Sequence, residues 1–144
     1  MKHIEIAAGE STRSFLVVFD AGESVVPALE DFAAGNGLRS ATFYGIGGFS
    51  RTTLAYYQLQ SKSYEPFDID QQVELISIAG NISVYKEKPK LHAHCSVAYP
   101  GGETRGGHLI SATVRPTLEL RLDEVPQALR REDSPEFKIP LLRL

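Results

Sequence analysis

Three of the chain's four histidines lie in two short segments, residues 91–97 and 106–109. Apolar and polar residues alternate strictly in the first segment, and this period of two is typical of a β-strand with one buried face. His92 and His94 therefore project from the same face of that strand. Because histidine is the commonest metal ligand in proteins, the pair predicts a metal site if a further ligand lies nearby.

A predicted hairpin brings His108 to this pair. Residues 99–103 combine proline and glycine in a strong turn signal. If the turn is centred on Gly101, His94 stands directly opposite His108, with Cβ atoms about 4.5–5.5 Å apart. A two-residue turn would shift the pairing by one and place His108 on the other face. The register of this hairpin therefore decides whether three imidazoles converge.

Three converging imidazoles would match a catalytic zinc site, which keeps its fourth coordination position for water or substrate. The same ligands also suit nickel, copper or iron. We therefore predict His92, His94 and His108 as metal ligands, with zinc or another divalent transition metal as the cofactor. The alternative is a pair of half-exposed strand histidines plus one loop histidine. We expect His3 to be a surface residue outside this site.

Length and composition favour a single domain over residues 1–144. Of the 144 residues 42% are hydrophobic, which supports a normal core. The net charge of −3 argues against binding of nucleic acid by the whole surface. The basic clusters at 86–90 and at 130–131 are interleaved with acidic residues, which indicates solvated surface.

The sequence also predicts a cytoplasmic protein without a membrane partner. Hydrophobic runs are far shorter than the roughly 20 residues that cross a bilayer, and residues 1–5 lack the apolar core of a signal peptide. The single cysteine, Cys95, has no second cysteine in the chain with which to form a disulfide. Its place on the apolar side of its strand predicts a buried residue rather than a nucleophile.

The hydrophobic pattern predicts an α+β fold, mainly an antiparallel sheet with one main helix. The helix follows Ser24, a suitable N-cap, and ends at residues 35–37, where two glycines flank an asparagine. We expect 64–67 to form a connection, Gly80 to separate two strands, and 141–142 to dock as a short strand. The main strands are predicted at 14–19, 39–44, 52–60, 73–79, 81–86, 90–98, 107–114 and 117–122.

The glycine-rich segment 45–48 invites comparison with nucleotide-binding loops. The dinucleotide fingerprint requires a third glycine where this chain has Ser50, and then a helix, whereas a β-rich segment follows. The lysine of a P-loop is absent as well. We therefore interpret the segment as a turn or bulge at a strand end, in which glycine permits a positive φ.

Taken in order, six segments resemble the plants-and-prokaryotes-conserved domain family over roughly residues 10–125. The resemblance implies a domain core over these residues and a C-terminal tail over 126–144. The resemblance implies a compact α+β fold that assembles as a homotrimer, with the metal-type histidine set at His92, His94 and His108. Plant members carry AT-hooks that bind the minor groove of DNA, and this chain lacks the Arg-Gly-Arg-Pro hook and a basic arm. DNA is therefore a doubtful partner. The matching segments are 19–23, 44–49, 73–82, 92–94, 106–109 and 116–119.

The fold of this family is also similar to that of alpha-acetolactate decarboxylase, whose zinc is held by an H-x-H pair and a later histidine. This chain has its histidines in the same order. A likeness of folds is weak evidence of function, because one fold supports many activities.

Two functions from different classes follow. The first is a zinc-dependent lyase or hydrolase acting on a small carbonyl or carboxylate substrate, which also needs an acid/base group and an anion binder. Glu119 and Arg105 are the candidates, with Tyr44 as a weaker third. The alternative for Glu119 and Arg105 is a surface or interface ion pair, and for Tyr44 a half-buried aromatic residue. The second function is a regulatory or interaction module, the role implied by the family's DNA-binding label. In this function DNA or another protein is the partner, and the metal is structural or senses a small-molecule ligand.

Overall fold

The computed structural model describes residues 1–8 and 12–143. The described strands belong to one sheet, in which every pairing is antiparallel except the single parallel bridge between β5 and β8. With one helix among the described residues, this is the α+β class that the sequence predicts. The elements are β1 (Lys2–Ala8), β2 (Arg13–Phe19), α1 (Val25–Gly35), β3 (Ala41–Gln58), β4 (Ser63–Ile69), β5 (Val73–Tyr85), β6 (Lys88–Ala98), β7 (Thr104–Glu124), β8 (Arg130–Asp133) and β9 (Pro140–Arg143).

Four strands of this sheet close into a ring. The main strand order is β1-β2-β7-β3-β5-β8-β9, with β4 paired to β3. Strand β6 pairs with both β5 and β7, so that β3, β5, β6 and β7 form a closed cycle of hydrogen-bonded neighbours. The long strand β7 makes this possible, because residues 104–108 pair with β6 while residues 118–123 pair with β2.

The core lies between the inner face of the sheet and the helix. Helix α1 packs against β6 and β7 and buries Val25, Leu29, Phe32 and Ala33. Ser24 occupies the N-cap position, as expected, although its side chain makes no capping hydrogen bond. Burial of each large apolar side chain contributes about 1.5–3 kcal/mol. At 11 residues, α1 is too short to cross a membrane, and no other helix occurs in the described ranges.

The outer face of the sheet is unusually apolar. Leu16 and Val18 of β2 are 43% and 38% exposed, and Tyr44 and Ile46 of β3 are 59% and 60% exposed. Residues Leu16, Arg121, Tyr44, Ala79, His94 and His108 form one continuous cross-strand row on this face. The exposed apolar surface therefore continues into the strand that carries the histidines.

Several predicted breaks between strands are wrong. Residues 39–60, 73–86 and 107–122 do not form pairs of short strands, because β3, β5 and β7 each run through the predicted gap with at most a local bulge. Residues 64–67 are not a connection but the middle of β4. Pro66 is tolerated there because β4 pairs only with β3 and is an edge strand.

Glycines in β3 and β5 allow close packing rather than turns. A Cβ at Gly80 would stand 2.3 Å from the carbonyl oxygen of His92 on β6, so only glycine fits at this point. Segment 45–48 lies inside β3, where a Cβ at Gly45 would stand 2.2 Å from the carbonyl oxygen of Glu119. The predicted bulge exists at this segment, but the predicted positive φ does not occur there.

Candidate metal centre

The histidine hairpin has the predicted register. His94 pairs with His108 across β6 and β7, which excludes the two-residue turn and its shifted pairing. The turn closes with a hydrogen bond from the Tyr99 N–H to the Glu103 carbonyl at 2.8 Å. Gly101 there has a φ of 100°, which glycine adopts readily.

The three imidazoles converge on one point. One ligand atom from each of His92, His94 and His108 lies within 4.8 Å of the other two. The ring centroids are 5.1–5.4 Å apart. Nitrogen ligands of a tetrahedral zinc ion lie about 3.4 Å apart, given bonds of about 2.0–2.1 Å. Side-chain adjustments of about 1 Å would therefore bring these nitrogens to coordination distance.

Two of these imidazoles are in the neutral form that metal binding requires. Burial lowers the pKa of His92 to about 4, helped by the positive charge of Arg131 and by His94. Burial also lowers the pKa of His108 to about 4, with further contributions from His92, His94, Lys90 and Arg131. Both rings are consequently uncharged at neutral pH, with a lone pair available for a metal ion.

One ring nitrogen of the cluster lacks a partner. Nδ1 of His108 is buried and has no hydrogen-bond partner among the residues that the structure describes. A buried polar atom without a partner costs about 1–3 kcal/mol. The ring is held in place by Tyr64 of β4, which stacks on it with centroids 4.4 Å apart. A metal ion bound at this nitrogen would remove the cost, so the residues present fit the predicted ion.

A cavity of about 290 Å³ opens beside the cluster. His92 and His108 form part of its wall, together with the polar side chains of Tyr64, Lys90 and Arg131. The remaining wall is mainly apolar and comes from the helix, the hairpin and the C-terminal strand: Val26, Leu91, Leu109, Ile110, Ile139, Pro140 and Leu141. The centre is therefore accessible to a small molecule.

Sequence reasoning missed two of these cavity residues. Arg131 was expected in a solvated cluster, and this is wrong because the side chain is half-buried and its Nε donates to Ser83 Oγ at 2.8 Å. Tyr64 was missed because residues 64–67 are predicted to be a connection rather than a strand. The large apolar and aromatic side chains at residues 64, 67 and 69, which favour a β-strand, were the signal that could have identified β4.

The structure does not bring Glu119 or Arg105 to the histidines. Glu119 lines a second cavity of about 650 Å³ together with Tyr44, and none of the histidines lines it. Arg105 is exposed, with its guanidinium 5.3 Å from the centroid of the Tyr99 ring.

Two other sequence predictions agree with the structure. Cys95 is buried, as expected, and burial raises the pKa of its thiol to about 12, so the reactive thiolate is not formed at neutral pH. His3 is exposed on β1, as predicted, with its ring packed edge-on against Phe32.

Fold and site together define an antiparallel α+β domain with a three-histidine cluster beside a small cavity. The sequence profile of the Plants and Prokaryotes Conserved (PCC) domain matches residues 6–126, and the chain belongs to this family. Among the curated proteins there is no match.

Several solved structures share both the fold and more than a quarter of the sequence. A "putative DNA-binding protein" from Ralstonia eutropha JMP134 is 31% identical, with a TM-score of 0.88 over 99% of this chain and 96% of that one. A metal-containing protein from Archaeoglobus fulgidus is 28% identical, with a TM-score of 0.86 over the whole of both chains. Alpha-acetolactate decarboxylase from Bacillus subtilis strain 168 shares only the fold, with 14% identity and a TM-score of 0.57 over 85% of this chain and 57% of that one.

Proposed function

We propose that the protein binds one divalent transition-metal ion, zinc, through His92, His94 and His108. The observation that carries this proposal is the convergence of three imidazole ligand atoms within 4.8 Å of one another. The lowered pKa values of His92 and His108 support it, because the rings need not lose a proton before they bind. The similarity to a metal-containing protein from Archaeoglobus fulgidus gives independent support.

A three-histidine set would leave one coordination position of a zinc ion open. Zinc bound there would supply Lewis-acid chemistry or a water molecule of lowered pKa. The chain's own residues prepare this position: Tyr64 orients the His108 ring by stacking on it, and the apolar cavity wall limits the access of bulk water.

A second candidate function is a zinc-dependent lyase or hydrolase that acts on a small carbonyl or carboxylate compound. It is favoured by the cavity of about 290 Å³ that shares His92 and His108 with the metal cluster. In this function Glu119 and Arg105 serve only if another copy of the chain presents them, because in one chain they lie away from the cluster.

We also propose that the protein is a homotrimer whose contacts include the outer face of the sheet. Leu16, Val18, Tyr44 and Ile46 are exposed on this face, and clustered apolar side chains of this kind mark protein–protein contacts. DNA binding is not part of the proposal. The net charge of −3 opposes the phosphate contacts on which such binding depends.

Elemental analysis of the protein without a histidine tag tests the metal proposal. We expect about one metal ion per chain in the wild type and none in a His92→Ala/His94→Ala double variant. His3→Ala is the matched control, because His3 is the histidine outside the cluster, and it should keep the metal. A wild-type protein that contains no metal and takes up none on addition would refute the proposal.

A further inference from the structure

We infer that Arg131 is the anion-binding residue of the cavity beside the histidines, and that this cavity takes a small monocarboxylate with an apolar chain. This inference extends the proposed function of the metal centre. It rests on that function for the role of the ligand, which would lie between Arg131 and the open coordination position of the metal. The binding of the anion itself depends on Arg131 and its surroundings.

The guanidinium of Arg131 is held in place but not neutralised. Its Nε donates to Ser83 Oγ and its Nη2 to Asn81 Oδ1, both at 2.8 Å, and its Nη1 donates to the Pro140 carbonyl at 3.1 Å. All three acceptors are uncharged. Because a guanidinium carries five N–H donors, one remains on each terminal nitrogen. Unused N–H donors of a guanidinium form strong, charge-assisted hydrogen bonds to carboxylate oxygens.

Arg131 differs in this respect from the paired arginines of the chain, and also from the other arginines without an ion pair, which are exposed. It forms no ion pair with any carboxylate in the described ranges, although its side chain is half-buried. Burial lowers the pKa of the guanidinium, while Tyr64 opposes this effect. A buried charge without a counter-ion is costly, and an incoming anion would relieve that cost. Ion pairs do form at Arg13 with Glu124, at Arg121 with Asp123, at Arg130 with Glu87 and at Arg143 with Glu132.

The protein groups of the cavity wall favour a ligand that presents one carboxylate to Arg131. The second basic residue in its wall, Lys90, already has Glu30 as a partner at 3.7 Å. Arg131 is then the one basic group of the described wall without an acidic partner. Most of the remaining wall is aliphatic, so a ligand that carries one carboxylate and an apolar chain matches this lining. A volume of about 290 Å³ is at the small end of ligand cavities.

The position of Arg131 links this anion site to the histidine cluster. Its partner Asn81 pairs directly with His92 across β5 and β6. Directly paired residues have Cβ atoms about 4.5–5.5 Å apart. A carboxylate on Arg131 would therefore lie next to the cluster, with its apolar chain against Leu91, Leu109 and Leu141.

An NMR titration of the zinc-loaded protein tests the inference with isobutyrate as the probe. Isobutyramide has nearly the same shape without the charge, so the comparison needs no variant. We expect the acid to shift amide signals of the cavity residues and to bind about tenfold or more tightly than the amide. Equal binding of the two compounds, or no binding of the acid, would overturn the inference.

Variants then assign the charge to a residue. Arg131→Met should weaken isobutyrate binding about tenfold to 100-fold, and Arg131→Lys, which keeps the charge but loses the fork, by a smaller factor. Arg130→Met is the matched control, because Arg130 is exposed and paired with Glu87, and its affinity should stay within about twofold of wild type. Unchanged affinity in both Arg131 variants, with the wild-type fold retained, would overturn the inference.

Metal content, measured on every sample, separates the two proposals. If the protein holds zinc but isobutyrate binds independently of Arg131, the metal centre stands and the anion site is refuted. If the protein holds no metal but isobutyrate binding still requires Arg131, the anion site stands and the metal centre fails. Isobutyrate binding that a chelator abolishes, and that neither Arg131 variant weakens, would place the carboxylate on the metal and refute the inference.

Discussion

Gly80 controls how closely β5 approaches β6, and replacing it with alanine should damage the metal centre. The added Cβ would stand 2.3 Å from the carbonyl oxygen of His92, 2.8 Å from Cζ of Phe43 and 2.9 Å from Cα of Ala93. Real Cβ atoms keep at least 3.0 Å from such neighbours, so β6 must move away from β5 by about 0.7 Å. The site of the clash is the backbone of a proposed metal ligand.

The expected loss follows from this displacement. Overpacking of this kind costs about 1–3 kcal/mol. A 144-residue domain has an unfolding entropy of about 0.3 kcal/mol/K, so Tm should fall by about 3–10 °C. Metal–ligand distances tolerate only about 0.2 Å, and the backbone shift would add to the side-chain adjustment of about 1 Å that metal binding already requires. We therefore expect the zinc affinity to fall about tenfold to 100-fold, as it does when residues that orient metal ligands are changed.

Calorimetry of the chelated protein gives Tm, and competition with a chromophoric chelator gives the zinc affinity. Gly35→Ala is the matched control, because its new Cβ meets nothing within 4 Å and its φ lies outside the positive range. This control should leave Tm unchanged or slightly higher. If Gly80→Ala behaved like Gly35→Ala in both measurements, the reasoning that the close contact between β5 and β6 positions the histidine cluster would be refuted.

Two further predictions concern protonation and assembly. In chelated protein, His92 and His108 are neutral when folded down to a pKa of about 4 but take up protons below about 6.5 when unfolded, so stability should fall as the pH is lowered from 6.5 towards 4. Thermal unfolding of the chelated protein at pH 7 and pH 5 measures this, and an equal Tm would contradict it. Light scattering should report a trimer for the wild type and smaller species for Ile46→Glu, whose side chain is 60% exposed on the outer face. A wild-type monomer at micromolar concentration would refute the proposed assembly.

The histidine cluster could be predicted from the sequence because it depends on short-range information. The turn at residues 99–103 sets the register of the hairpin, and alternation sets the face of each side chain, so His94 and His108 pair as expected. The helix could be predicted for the same reason, because Ser24 and Gly35 lie at its two ends.

What the sequence did not reveal depends on contacts between distant segments. Arg131 lies half-buried in a cavity wall because β8 joins β5 through a single parallel bridge, between Val84 and Arg130. No local sequence pattern predicts this contact. In the sequence, Arg130 and Arg131 look alike, yet one pairs with Glu87 on the surface and the other with Ser83 and Asn81 in the interior. In the sequence, Gly80 indicates a break between strands because glycine weakens an isolated strand. In the structure, its lack of a side chain allows the backbone of β6 to approach β5 closely.

The closed ring of β3, β5, β6 and β7 also determines under which conditions the three histidines stay together. The ring is closed between β6 and β7 by five residue pairs, from His94–His108 to Ala98–Thr104. The histidine cluster lies across this junction of β6 and β7, at the residue pair furthest from the turn. Fraying of the hairpin would therefore separate His108 from the other two histidines while the rest of the sheet stayed intact. A metal ion bound there would hold β6 and β7 together. Metal binding would therefore slow the hydrogen exchange of the amide protons of residues 104–108, which would be its most sensitive reporters.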